Sequence, residues 1–219
     1  MFASRAFSTW LHADCGGGGP SLQIGTRGPV ACDESRYNDA GKNANVVIFR
    51  DEDWPYPDGI DTFGYTFVRF NTRTGEIYDA DVEINAERFE LATHGGDEGA
   101  DLQSILTHEV GHFLGLAHST APDATMQAVY VQGTADWRTL AQDDIDGICA
   151  IYPPDRSAEP CTFVPHGGFA SECALGVLKG GCGMAPPNEP GRKAGALVAC
   201  ALAFIGLRRK ARRRQNQTW

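Results

Sequence analysis

The chain offers no run of twenty apolar residues, the length a membrane-spanning helix needs. Ala194 to Leu207 comes nearest, with 14 residues free of charge, about 21 Å of helix against a hydrocarbon core of roughly 30 Å, so a permanent anchor is disfavoured. Basic residues are scarce where they would matter for nucleic acid. The first 191 residues carry 11 basic and 28 acidic side chains, a net charge of −17, which excludes polyanion binding by the body and favours solubility. All eight remaining Lys and Arg lie from Arg192 onward. The cysteines at 15, 32, 149, 161, 173, 182 and 200 form no C-x-x-C pair, which argues against a cysteine metal site and fits scattered disulfides in an oxidising compartment. Proximity pairs Cys15 with Cys32 and Cys161 with Cys173, and the odd count leaves at least one otherwise used. Met1 to Trp10 has no apolar core long enough for an export signal. Phe2, Ala6 and Trp10 instead recur at four-residue spacing, as in the last turns of an amphipathic helix. The expectation is that the true start lies upstream, with the signal, any propeptide and a first strand.

What is present is concentrated in His108-Glu109-Val110-Gly111-His112-Phe113-Leu114-Gly115-Leu116-Ala117-His118. Two histidines four apart leave the same helix face one turn apart, a bite that suits zinc. Glu109 is offset enough to reach a water rather than the metal. Gly115 permits the positive φ that breaks the helix, and His118 can then return as a third ligand. Three histidines with one open position describe a catalytic zinc site, since structural sites close all four positions. A buried helix that merely carries histidines would also have to account for the glycine and for Met126 downstream.

Around this motif, 45–49 and 65–70 read as strands. Ile77 to Ile84 alternates apolar and acidic residues and reads as a strand with one wet face. The acidic loop His94–Asp101 has the clustered carboxylates that suit calcium; the preferred reading is a solvated loop ending in Asp101 as a helix N-cap. Leu102, Ile105, Leu106, Phe113 and Leu116 then bury one face of the motif helix. Tyr130 is read as a pocket wall, and Trp137 is equally pocket or packing. Leu140 to Tyr152 reads as a second helix, acidic at its start as the dipole favours, with Ile145, Ile148 and Ile151 beneath the site and Pro153-Pro154 stopping it. The domain organisation is therefore a catalytic domain at 1–153, a Gly/Pro/Cys-rich linker at 154–191 and an apolar-then-basic tail at 192–219.

The metal motif, Met126, Leu140, the run Asp143-Asp144-Ile145-Asp146-Gly147-Ile148, Tyr152, and Gly75-Glu76-Ile77 with Asp79–Asn85 together resemble the matrixin branch of the metzincins. The resemblance covers roughly residues 1–153. It implies an α+β fold: a twisted mixed sheet, an active-site helix behind it and a small C-terminal subdomain. An edge strand, placed at 77–85, would pair with extended substrate. It implies zinc ligands His108, His112 and His118, general base Glu109, and Met126 as the apolar base under the metal. Histidines for a second, structural zinc are missing apart from His94, and calcium is put in doubt for the same region. Ala128 stands where the family often has proline, whereas Tyr130 keeps its place. The tail resembles C-terminal sorting signals of myxobacterial surface proteins, with Cys182 as the processing or lipid-attachment residue, a plain disulfide being the alternative. The implied protein is a monomeric, secreted or cell-surface zinc endopeptidase. It acts on proteins or peptides, binds no nucleic acid and associates with the envelope through its tail. The competing class is a catalytically inert binding or adhesion protein on the same fold.

Overall fold

Trp10 fixes the first element in place. Helix α1 (Phe2–Leu11) buries Ala6 and Trp10 completely, and the Trp10 indole donates to the Thr107 carbonyl at 2.8 Å. The four-residue spacing of Phe2, Ala6 and Trp10 is thus the packed face of a real helix. The computed structural model describes residues 2–29, 34–56, 62–94, 99–156 and 164–170.

Three strands make the main sheet: β1 (Val47–Arg50), β2 (Gly64–Phe70) and β3 (Ile77–Asn85). Their order is β1-β3-β2, with β1 parallel and β2 antiparallel to β3. Short β4 (Leu91–Ala92) and β5 (Ala100–Asp101) pair with each other. Asp101 opens helix α2 (Leu102–Phe113), accepting from the Ser104 N–H as the N-cap. A single 3₁₀ turn at Asp136–Arg138 precedes helix α3 (Gln142–Ile151). Val82 and Ile84 of β3, Leu106 and Val110 of α2 and Ile148 of α3 are all fully buried in one apolar cluster with Trp10. Mixed sheet and helices are as expected.

Two expectations about β3 are corrected. It is the central strand, with β1 and β2 on either side, so 77–85 is not an edge. Its acidic face is also dry: Asp79, Asp81 and Glu83 are each no more than 2% exposed. Sequence alternation reveals a period, but not what covers the second face. Here the cover comes from distant residues. Arg50 donates from Nε and Nη2 to the two Glu83 oxygens, both at 2.9 Å, and the Ser35 hydroxyl also donates to Glu83. The Val46 N–H donates to Asp81. Burial pushes Asp79 up to about 6, against the pull of Arg69. Burial pushes Asp81 up to about 7, helped by Asp79 and Glu83 and opposed by the Val46 N–H. A carboxyl whose folded pKa exceeds its unfolded value stabilises below the unfolded value and loses that contribution as pH rises through the folded one. Asp81→Asn should therefore match the parent in denaturation midpoint near pH 4, gain on it steadily as pH rises to about 7, and keep a constant lead above that. A gap that does not change with pH would contradict this.

The ladder also sets what β2 presents. Val82 donates to Val46 on the β1 side, and Asn85 donates to Phe63 on the β2 side. Even-numbered residues of β3 therefore direct their backbone groups to β1 and odd-numbered ones to β2. Gly64 and Thr66 lie opposite Ile84 and Val82, so their N–H and C=O groups turn away from β3, towards the outer edge.

The cysteine pairing differs from that suggested by proximity: Cys15 bonds to Cys149, 134 residues away. The glycine-rich loop after α1 folds back onto α3, which brings the two together. Cys32, Cys161 and Cys173 lie outside the described residues. Ile151, expected beneath the site, is 39% exposed, because α3 turns only its Ile148 side inward. Residues 164–170 return to the body, where Asn43 donates to the Gly168 carbonyl and Ala170 to that of Asn43. Among the described residues no helix is long and apolar enough to cross a membrane.

Candidate metal centre

α2 carries His108 and His112 on one face, then stops. Gly115 adopts φ 97°, its N–H bonds to the His112 carbonyl and that of Leu116 to Gly111. This left-handed exit swings His118 back, so that its Nε2 lies 3.1 Å from Nε2 of His112. One nitrogen from each of the three imidazoles falls within a 4.8 Å cluster, the single such group among the described residues.

Second partners fix which nitrogens converge. Nδ1 of His108 meets the Thr125 carbonyl at 2.7 Å, and Nδ1 of His112 meets that of Leu116 at 2.8 Å. A carbonyl only accepts, so each Nδ1 carries the proton and each Nε2 keeps a lone pair. Burial lowers the His108 pKa to about 3 and also lowers that of His112, each helped by neighbouring imidazoles. Both rings are therefore neutral, the form that binds metal. Three imidazole donors, two of them neutral with their tautomer fixed, fit a zinc ion.

Met126 is 2% exposed and packs on Gly111. A Cβ at Gly111 would lie 2.2 Å from the Met126 sulfur and 2.7 Å from the Trp10 ring, so only glycine admits this contact. The methionine turn is held by Asp144, whose oxygens accept from the N–H groups of Thr125, Met126 and Ala141 at 2.7, 3.0 and 2.9 Å. The helix dipole alone accounts for an acid at this end of α3, but Asp144 is also four residues before Ile148, on the apolar side of the helix.

Glu109 is 6% exposed and accepts from the Thr66 hydroxyl at 2.6 Å. Burial pushes its carboxyl up to about 7, with the Thr66 hydrogen bond opposing. Nothing in the sequence pointed to Thr66, 43 residues upstream on a different element.

These groups face a cleft of about 1190 Å³. Phe63, Tyr130 and Trp137, whose rings pack in sequence, line it, as do Phe70, Ile77 and Ile151. Tyr130 is held on both sides, accepting from the Asp101 N–H and donating to the Thr134 carbonyl. Trp137 both packs and lines: it stacks on His108 with ring centroids 4.6 Å apart and an interplanar angle of 16°. The adjacent Arg138 grips Asp101 through both carboxylate oxygens, so the N-cap of α2 also tethers this wall. Of the loop read as a calcium candidate, residues 95–98 lie outside the described set, and both Asp101 oxygens are engaged by Ser104 and Arg138. Cys182 and the tail also lie outside it.

The sequence profile of the matrixin family matches residues 29–153, more than half of the chain. Among curated proteins, matrix metalloproteinase-20 of Homo sapiens is 38% identical over 82 residues, covering 37% of this chain and 16% of that protein. Matrilysin of Rattus norvegicus is 31% identical over 101 residues, covering 46% of this chain and 35% of that protein. Matrix metalloproteinase-19 of Mus musculus is 44% identical over 69 residues, with 32% and 13% covered. The chain thus aligns with about a third or less of each of these relatives.

Proposed function

The chain belongs to the matrixin family, and from that premise we propose that it is a zinc-dependent endopeptidase acting on proteins outside the cytoplasm. The observation that carries the proposal is the convergence of three imidazoles beside a buried carboxylate in one open cleft. In this reading His108, His112 and His118 hold the zinc through Nε2, and Met126 forms the apolar floor. Bound zinc supplies Lewis acidity, polarising a carbonyl and bringing the acidity of a water near neutral pH. Glu109 takes the proton of the attacking water and hands it to the departing amine. The outward backbone groups of Gly64 and Thr66 pair with an extended substrate, adding it as a further strand to the sheet edge. Tyr130 and Trp137 form a wall of the pocket for one substrate side chain.

The disulfide between Cys15 and Cys149 supports an oxidising compartment. The sequence alone supports the remaining parts: a catalytic domain at 1–153, a linker at 154–191 and a sorting tail at 192–219, with Cys182 as its attachment residue. An apolar run followed by arginines would leave the catalytic domain on the outer side of the membrane. Digestion of a mixed peptide library by the zinc-loaded full chain tests the activity. Internal cleavage is expected. A zinc-loaded protein that binds peptides and cuts none would establish the inert binding protein instead.

A further inference from the structure

Thr66 occupies an unusual position, since one residue faces both the cleft edge and the carboxylate at its base. Its backbone N–H and C=O turn outward from the sheet, because its partner Val82 directs its own groups towards β1. Its side chain lies on the α2 side. There Oγ1 sits 2.6 Å from Oε2 of Glu109 and 3.2 Å from the Glu109 carbonyl. A hydroxyl has one proton to give, and the nearer oxygen, that of the side chain, takes it. Two residues earlier, a Cβ at Gly64 would stand 2.7 Å from Oε1 and 2.8 Å from Cγ of Glu109. The glycine therefore makes room for the end of the Glu109 side chain against β2, while the threonine engages Oε2.

We infer that Thr66 is a positioning residue, which holds the Glu109 carboxylate by Oε2 so that Oε1 is presented to the reacting water in register with a peptide paired along the β2 edge. This rests on the endopeptidase reading and deepens it. A glutamate side chain has three rotatable bonds and otherwise samples several rotamers. Anchoring one oxygen to the strand that receives the substrate sets base and scissile bond on a common rigid element. The effect belongs to turnover rather than to binding, because the outward backbone groups remain whatever the side chain.

The test is steady-state cleavage of a peptide substrate by Thr66→Val and Thr66→Ser. Valine removes the hydroxyl and should lower kcat about tenfold or more with KM nearly unchanged. Serine restores the hydroxyl and should recover kcat to within about threefold. Thr66→Ala serves if the valine variant does not fold. The visible spectrum of the cobalt-substituted protein should be the same in all variants, since no ligand is touched. Independently of activity, Thr66→Val should lower the urea midpoint of the parent and leave that of Glu109→Ala unchanged. A full kcat in Thr66→Val, an equal loss in Thr66→Ser, a change confined to KM, or the same midpoint shift in both backgrounds would overturn the inference. If the parent protein cuts no peptide, the endopeptidase reading fails and takes this role with it; normal cleavage with an unaffected Thr66→Val removes the role of Thr66 alone.

Discussion

Glu109→Gln should lower kcat on the order of 10³- to 10⁴-fold while the protein keeps its metal. General acid–base catalysis is worth up to about 10⁴-fold, and glutamine cannot take a proton from water at neutral pH. The substitution leaves the rest of the site intact. The amide oxygen still accepts from the Thr66 hydroxyl that now bonds to Oε2, and the three imidazoles keep their second partners. Metal content by elemental analysis should therefore equal that of the parent, and KM should change little. Removing zinc with a chelator should abolish cleavage, and added zinc should restore it. Cleavage that survives chelation, or a Glu109→Gln variant within tenfold of the parent, would exclude the mechanism.

Loss of the disulfide should cost about 5 kcal/mol by the chain-entropy relation, given the separation of 134 residues between Cys15 and Cys149. For a domain of this size that corresponds to a fall in Tm of about 10–20 °C. Cys15→Ser/Cys149→Ser should show it in a thermal melt, and reductant should reproduce it in the parent protein. A Tm that does not move under either treatment would show that the bond adds nothing to folding. The bond links the loop after α1 to the helix whose Asp144 holds Thr125 and Met126. The variants should therefore also lose zinc more readily than the parent.

The sequence made the metal centre legible because its parts are local. Two ligands and the base lie within five residues of one helix, the breaker Gly115 follows, and His118 needs only one reversal of the chain. What surrounds the centre was hidden because it is assembled over long distances. Thr66 reaches Glu109 from another element, Cys15 reaches Cys149 across most of the domain, and Arg50 and Ser35 cover Glu83 from two separate segments. The acids of β3 are hidden for the same reason. Alternating acids look solvated when their partners lie dozens of residues away, and a strand's rank in the sheet depends on neighbours that its own pattern does not specify. Asp144 differs, because its place on the apolar side of α3 is local and visible in the sequence, although the helix dipole also favours an acid there.

Helix α3 is fastened at three separate points: Asp144 to the methionine turn, Cys149 to Cys15, and the Tyr152 hydroxyl to the Leu114 carbonyl where α2 ends. Such a helix has no low-energy way to peel off alone, so the floor of the metal site shares the cooperativity of the whole domain instead of opening as a separate unit.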